Sequence, residues 1–269
     1  MKSSLSIILL VVVFVTCLFG QASDCLIYTL LDDGTAYSVS IGVTTDTHIT
    51  IPASYNGLPV IEVSGNNTHS TNTTMESITL PDSITKIGNN AFAGYHSLRD
   101  INVPTGVTTI GDHAFHSCGL RDIILPNTVV RIGYFAFSFS TLTSFSIPES
   151  VRYIGANAFS YTPLSTIEIQ NGISYIDDYT FANTYLQNIY LPESVLYIGE
   201  CAFSYNHQLT DVTLPTNLLS IGSGAFYGCG QLTSIIIPAS VSSIGEYAFR
   251  FTRDLSTITL LDGFQYIDA

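Results

Sequence analysis

Two stretches decide the fold: LTSIIIP at Leu232–Pro238 and IGEYAF at Ile244–Phe249. The first alternates at its end and stops at proline, which has no N–H to donate to a sheet, so it predicts a short strand. Both stretches recur along the chain, and their phenylalanines follow one another at roughly 22–23 residues, a period typical of repeat proteins. These are Phe92, Phe115, Phe137, Phe159, Phe181, Phe203, Phe226 and Phe249. Such a period predicts a solenoid of stacked coils.

Length varies in only one part of the unit. From each repeat leucine to the next repeat phenylalanine there are always 17 positions, as from Leu98 to Phe115 or from Leu232 to Phe249. All variation therefore falls between the phenylalanine and the next leucine, which identifies that segment as the tolerant loop of the coil.

Three apolar columns predict the core. The strand column would pair between coils as one buried ladder, and Val-x-x-Ile pairs such as Val107 with Ile110 form a second. The Ala-Phe column supplies the third wall, with phenylalanine filling volume and alanine admitting the neighbouring coil. The strand column consists of Ile101, Ile123, Phe145, Ile167, Ile189, Val212, Ile235 and Ile258. A unit this short has no second layer of its own, so stacking must bury its apolar side.

A glycine follows the repeat isoleucine in almost every unit. It predicts a tight bend where a side chain would collide or where φ is positive. Asp177 takes the place of this glycine in one unit. A left-handed conformation would tolerate aspartate there.

The chain divides into three predicted parts. Residues 1–22 contain Lys2, an apolar run and small residues suited to signal peptidase, so we expect a cleaved secretory signal. Residues 23–76 form an N-terminal cap, with a β-hairpin at Asp32-Asp33-Gly34, and a degenerate first repeat with a polar insertion. Residues 77–269 form the repeats, of which the last is incomplete.

Charge restricts the possible partners. The formal charge is −13, and removal of Lys2 with the signal makes it −14. Nucleic acid and anionic membranes both require clustered lysine and arginine, so we expect neither as a partner, and no membrane insertion of the mature chain. The polar insertion carries two sequons, at Asn66 and Asn72, which would be glycosylated in a eukaryotic secretory pathway.

The repeats resemble the BspA-like leucine-rich repeat family of surface antigens, including the lead-in stretches LLDDGTAYSVS and IPASYNGLPV. The resemblance covers nearly the whole mature chain. It implies a leucine-rich-repeat-type right-handed coil with short stacked β-strands behind an N-terminal β-hairpin cap. It also implies a secreted or surface-displayed protein that mediates adhesion to extracellular proteins or to a host cell surface.

No pattern indicates an active site or a cofactor. Motifs of zinc proteases, serine hydrolases and phosphate-binding loops are missing from the sequence, so we expect no enzyme. His113 and His116 lie near Cys118, but they occupy variable columns and lack a second pair of ligands, so we predict no metal site. Cys118 and Cys229 are five coils apart, about 24 Å at ~4.8 Å per coil, which is too far for a disulfide.

A tyrosine column is the candidate binding surface. Tyr153, Tyr175 and Tyr197 precede the repeat isoleucine in three consecutive units, and Arg131 and Arg152 flank them. Alternation directs these tyrosines to solvent, and exposed tyrosine beside arginine is typical of interfaces. Two alternatives remain: aromatic stacking that only stabilises the sheet, and a carbohydrate-binding solenoid whose tyrosine ladder stacks on sugar rings.

Overall fold

The computed structural model describes residues 25–65 and 73–261, which form a β-solenoid of about nine turns without helices. The predicted solenoid fold is therefore confirmed. These described residues contain no helix with the length and hydrophobicity needed to cross a membrane. The predicted signal at 1–22, the sequons at Asn66 and Asn72, and the incomplete last repeat beyond 261 lie outside the described residues, and the boundary between 76 and 77 stays a prediction.

Two hairpins start the fold. Strands β1 (Leu26–Leu30) and β2 (Tyr37–Ile41) pair antiparallel, and β2 then pairs parallel with β5 (Leu58–Val63), so the expected hairpin joins the stack. The second hairpin, between β4 (Ser54–Tyr55) and β5, was not predicted. It turns at Asn56-Gly57, where both φ angles are positive (48° and 79°), as two-residue hairpin loops require.

The Val-x-x-Ile stretches form two-residue strands along one wall of the stack, which we call the first wall. These strands are β7 (Lys86–Ile87), β9 (Thr109–Ile110), β10 (Arg131–Ile132), β12 (Tyr153–Ile154), β14 (Tyr175–Ile176), β16 (Tyr197–Ile198), β18 (Ser220–Ile221) and β20 (Ser243–Ile244). They pair in parallel and in register, except between β12 and β14. The isoleucine of each strand is buried, so this apolar ladder is confirmed.

A second wall contains the predicted strand column, except that Ile123 is buried outside any strand, contrary to the prediction. Its strands are β3 (His48–Thr50), β6 (Ser77–Thr79), β8 (Asp100–Ile101), β11 (Ser144–Ile147), β13 (Thr166–Ile169), β15 (Asn188–Tyr190), β17 (Asp211–Thr213), β19 (Ser234–Ile237) and β21 (Thr257–Leu260). They form one group of three and three pairs rather than one continuous sheet. The column is buried or half-buried except at Ile258, which is 48% exposed because no described coil covers it.

The repeat phenylalanines form the centre of the core. Their rings stack from Phe92 to Phe249 with successive centroids 5.2–5.6 Å apart, and all but Phe249 are fully buried. Burying a phenylalanine contributes about 1.5–3 kcal/mol, and ring stacking adds to this, so this stack is a main source of cohesion between coils.

The third wall consists of turns that are hydrogen-bonded between coils. Three N–H groups of each unit from Phe92 to Phe226 donate to carbonyls of the following coil. They belong to the repeat phenylalanine, to the residue two positions before it and to the residue two positions after it, as in Phe137 N to Ala158 O at 2.8 Å. The residues two before and two after each phenylalanine have positive φ in every unit from Asn90 to Phe251. We call their outward surface the turn face. The sequence predicted a packed wall here but not a ladder of hydrogen bonds.

The glycine column avoids a collision and does not need positive φ. None of these glycines has positive φ, whereas a Cβ at Gly111 would lie 2.5 Å from the Gly88 carbonyl carbon, and one at Gly222 the same distance from that of Gly199. Coils approach so closely here that only a hydrogen fits. Asp177 does not have positive φ either, so a left-handed conformation is not what allows aspartate in this column.

Asp177 instead interrupts the first wall. On either side of it, the glycine N–H donates to the preceding coil, as in Gly155 N to Ile132 O at 2.9 Å and Gly199 N to Ile176 O at 2.8 Å. Within the described residues, no backbone hydrogen bond joins β12 to β14. The Cβ of Asp177 occupies the space that this approach requires, so the two coils are linked through the β11–β13 pair of the second wall, the turn face and the core.

We expect Asp177→Gly to restore this ladder. It would regain about three backbone hydrogen bonds of the kind seen between β10 and β12, at ~0.5–1.5 kcal/mol each. It would lose ~0.5–1 kcal/mol to glycine entropy and about one hydrogen bond, from Asp178 N to Asp177 Oδ1 at 2.8 Å, which leaves a net gain of about 1 kcal/mol. Thermal unfolding should then shift upward by about 2–4 °C. The neighbouring Asp178→Gly is the control and should lower stability, because Asp178 Oδ1 accepts the Glu200 N–H at 2.7 Å. A lower melting midpoint for Asp177→Gly would show that the aspartate stabilises the gap.

Candidate functional site

The tyrosine column is exposed in two of its three positions. Tyr175 and Tyr197 are each 41% exposed, and their ring centroids lie 6.3 Å apart with the planes tilted by 54°. The pKa of Tyr175 is raised, mainly by burial and to a smaller extent by the nearby Asp178 carboxylate. These two rings present an aromatic patch of two coils on the first wall.

Tyr153 does not continue this patch. It is half-buried, it lies across the gap at Asp177, and its hydroxyl donates to Asp177 Oδ2 at 3.4 Å. The Arg131 guanidinium covers its ring at 4.3 Å from the centroid and contacts Asp112 at 3.6 Å. Burial, together with a hydrogen bond to Tyr134, raises the pKa of Tyr153. Arg131 and Tyr153 therefore contact each other within the chain, and the guanidinium covers one face of the ring.

Arg152 also contacts its own backbone. Its guanidinium donates to the carbonyls of Glu149 and Val151. The five residues proposed from the sequence thus lie along one wall, but only Tyr175 and Tyr197 form an open pair.

The histidine cluster is an aromatic contact. The His113 ring stacks on Phe135 at 5.0 Å, and His116 meets His113 edge-on at 5.4 Å. Burial lowers the pKa of His116, so it is neutral at physiological pH. No group of three or more His, Cys, Asp or Glu side chains in the described coils is arranged to hold a metal ion.

Three of the described cysteines, Cys25, Cys118 and Cys229, belong to the core. Cys118 and Cys229 are free and buried, and burial raises the pKa of each thiol to about 12. Both therefore stay protonated at neutral pH. Cys201 is also free but half-buried, and it lies on the turn face.

Aromatic residues concentrate on the turn face. Among the described residues, seven phenylalanines and tyrosines there have φ between 52° and 62°: Phe135, Phe139, Tyr161, Tyr179, Tyr205, Tyr247 and Phe251. All but Phe135 are exposed. A left-handed conformation costs a residue with a Cβ about 1–2 kcal/mol. The chain uses asparagine or glycine at equivalent positions, such as Asn157, Asn183 and Gly228. Strained, exposed aromatics of this kind suggest a functional role.

Five tyrosines line a groove on this face, which we call the turn-face groove. It has a volume of about 560 Å³ and runs across five coils between Tyr161, Tyr179, Tyr205, Tyr227 and Tyr247. Its floor is formed by the column of residues two positions before each repeat phenylalanine. In four consecutive coils these residues are Tyr179, Cys201, Gly224 and Tyr247. The small residues between two large ones create the recess.

The groove is acidic. Glu200 and Glu246 line it, and none of the lining side chains, all within the described part of the chain, is lysine or arginine. The Tyr179 hydroxyl donates to Glu200 Oε1 at 3.0 Å. The pKa of Tyr179 is raised because its hydroxyl is hydrogen-bonded to the Cys201 thiol and to this carboxylate.

The sequence reasoning missed the groove although a signal was present. Tyr179, Cys201, Gly224 and Tyr247 follow one another in a column that was treated only as variable. A column whose residues change in size from large to small and back forms a recess once the coils stack. Reading each column for size as well as hydropathy would have found it.

Parallel strands in register, a continuous phenylalanine stack and a hydrogen-bonded turn wall define a solenoid protein of the leucine-rich-repeat type. The model of the BspA type leucine rich repeat region matches residues 65–186 and 174–269, with six copies. The chain belongs to this family. No curated protein matches it.

Solved structures share the fold. A leucine-rich repeat protein from Bacteroides ovatus is 23% identical with a TM-score of 0.71, over 90% of this chain and 76% of that one. The T. pallidum leucine rich repeat protein is 27% identical with a TM-score of 0.57, over 76% and 86%. One from Eubacterium ventriosum is 24% identical with a TM-score of 0.54, over 88% and 70%.

Proposed function

We propose that this chain is a non-enzymatic binding protein of the cell surface or extracellular space, and that the turn-face groove holds its macromolecular partner. The main support is the groove itself, in which five tyrosines from five coils surround a recess of about 560 Å³. Tyrosine offers a large, rigid contact area at low entropic cost, and it is enriched where binding energy concentrates.

The strain on the turn face supports the same proposal. Tyr161, Tyr179, Tyr205 and Tyr247 each have positive φ, at positions where asparagine or glycine would be relaxed. Stability alone does not account for tyrosine there. The surrounding hydrogen-bond ladder holds these backbones in place, so the groove is preformed and its partner does not have to order it.

This proposal is tested by measuring the binding of a panel of extracellular matrix proteins to the immobilised full chain. We expect a Tyr179→Asn, Tyr205→Gly double variant to lose binding by about tenfold or more, since truncating a tyrosine at a binding hot spot costs about 2 kcal/mol or more and ~1.4 kcal/mol is tenfold. A Tyr175→Ala, Tyr197→Ala double variant is the matched control. Equal binding by the native chain and the groove variant would remove the groove from the proposal.

A carbohydrate-binding role is the second candidate, and the Tyr175–Tyr197 pair favours it. Two exposed rings with centroids 6.3 Å apart offer faces on which sugar rings stack. A glycan array distinguishes the two proposals, because glycan binding should fall in the Tyr175→Ala, Tyr197→Ala variant and persist in the groove variant.

A further inference from the structure

We infer that the turn-face groove selects a positively charged side chain, so that its partner is a protein segment rich in lysine or arginine. This inference rests on the proposed function and adds the chemistry of the partner. It combines three observations: unpaired carboxylates, open aromatic faces, and a recess that fits one long side chain.

The carboxylates of the groove have no cationic partner. The part of the chain that the structure describes contains two ion pairs, Lys86 with Glu62 and Arg131 with Asp112, and neither involves the groove. Glu200 and Glu246 are both exposed, and Glu200 is oriented by the Tyr179 hydroxyl. Two unpaired carboxylates on one groove favour a cation there. The formal charge of −13 would also attract a basic partner from a distance.

The aromatic faces suit the same ligand. A guanidinium or ammonium above a tyrosine ring gains about 0.5–2 kcal/mol. The chain itself shows this contact at the edge of the groove, where the Arg250 guanidinium lies 4.9 Å from the Tyr247 centroid and 5.0 Å from that of Phe251. One face of Tyr161 stacks on Phe139, but Tyr161, Tyr179 and Tyr205 are each 38–51% exposed and can meet a cation from a partner.

The size of the recess limits what enters. Tyr179 and Tyr247 stand three coils apart, a distance of about 14 Å at ~4.8 Å per coil. Cys201 and Gly224 lie between them. A Cβ at Gly224 would lie 2.9 Å from the Cys201 sulfur, so a larger residue there would require the Cys201 side chain to shift. Such a space accommodates one extended arginine or lysine side chain, flanked by rings and facing the carboxylates.

A pair of peptides tests the inference directly. One is a short capped peptide of alternating glycine and arginine, and the other replaces each arginine with citrulline, which has nearly the same shape without the charge. Fluorescence anisotropy with the native chain should show about tenfold tighter binding of the arginine peptide. The Glu200→Gln, Glu246→Gln variant should lose most of this difference.

Two controls separate the groove from general electrostatics. The Glu149→Gln, Asp211→Asn variant removes the same charge from exposed positions outside the groove and should keep the affinity. Tyr179→Asn should reduce binding without lowering the melting midpoint, because the residue has positive φ and asparagine tolerates that conformation. Equal losses in the two charge variants would overturn the inference, because net charge would then explain the binding.

The remaining outcomes distinguish the inference from the proposed function. If the citrulline peptide binds as tightly as the arginine peptide and Tyr179→Asn abolishes both, the groove binds partners but does not select a cation. The same conclusion follows if matrix proteins bind in the groove while the arginine peptide does not. If neither the peptides nor any matrix protein binds, both proposals fail.

Discussion

Phe137→Ala should lower the free energy of unfolding by about 3–5 kcal/mol. Phe137 is fully buried, stacks on Phe115 and Phe159 at 5.2 and 5.3 Å, and meets Phe145 at 5.2 Å. Alanine would leave a cavity in the middle of a stack that the flanking coils cannot close, since both are held by hydrogen bonds on the turn face. Thermal unfolding followed by circular dichroism should show a midpoint lower by about 6–20 °C.

Phe139→Ala is the matched control, two residues away in the same coil. Phe139 is 50% exposed and loses one stacked contact, with Tyr161 at 4.6 Å, and one edge contact, with His116. We expect a change within about 1 kcal/mol, since an aromatic pair contributes ~0.5–1.5 kcal/mol. Alanine also keeps a Cβ at the same positive φ. Comparable losses from the two variants would contradict the assignment of the phenylalanine stack as the main core.

Gly222→Ala should cost about 3 kcal/mol, the upper end of the ~1–3 kcal/mol typical of overpacking. The added Cβ would lie 2.5 Å from the Gly199 carbonyl carbon and 2.6 Å from its oxygen, and both are backbone atoms that move only if the coils separate. The separation would also weaken the Gly222 N to Ile198 O hydrogen bond of 2.8 Å. The natural gap beside Asp177 shows how the stack responds to a larger residue in this column.

Gly230→Ala provides the comparison for this substitution. Gly230 lies in the same repeat, has no positive φ, and a Cβ there would meet no atom within 4 Å. Removing glycine entropy at such a site should leave stability unchanged or raise it by about 0.4–1 kcal/mol. Chemical denaturation of both variants measures the difference. If Gly222→Ala is as stable as Gly230→Ala, close approach of the coils does not explain the glycine column.

Together these pairs of variants separate cohesion from recognition. The phenylalanine stack and the glycine column hold the coils together from within. Four tyrosines of the turn face, Tyr161, Tyr179, Tyr205 and Tyr247, have left-handed backbones at a cost in stability and line the groove from outside. Variants on the turn face should therefore affect binding more than folding, which is the pattern that Tyr179→Asn examines.

The sequence by itself determined the repeat, the three apolar columns and the direction of most side chains. Phe137, Ile198 and Gly222 each belong to a column whose residue type recurs once per repeat. The position of a residue within such a short repeat decides whether it faces the core. The sequence also predicted that Tyr175 and Tyr197 are exposed to solvent, because the alternation of side chains along a strand is a local property.

Only the tertiary structure decided how neighbouring coils meet. The gap at Asp177 depends on an interatomic distance between coils, and so does the covering of Tyr153 by Arg131. The turn-face groove requires tyrosines to converge from different coils. The physical reason is that hydrogen bonds between coils set the stacking distance, and that distance determines which gaps close and which remain open to a partner.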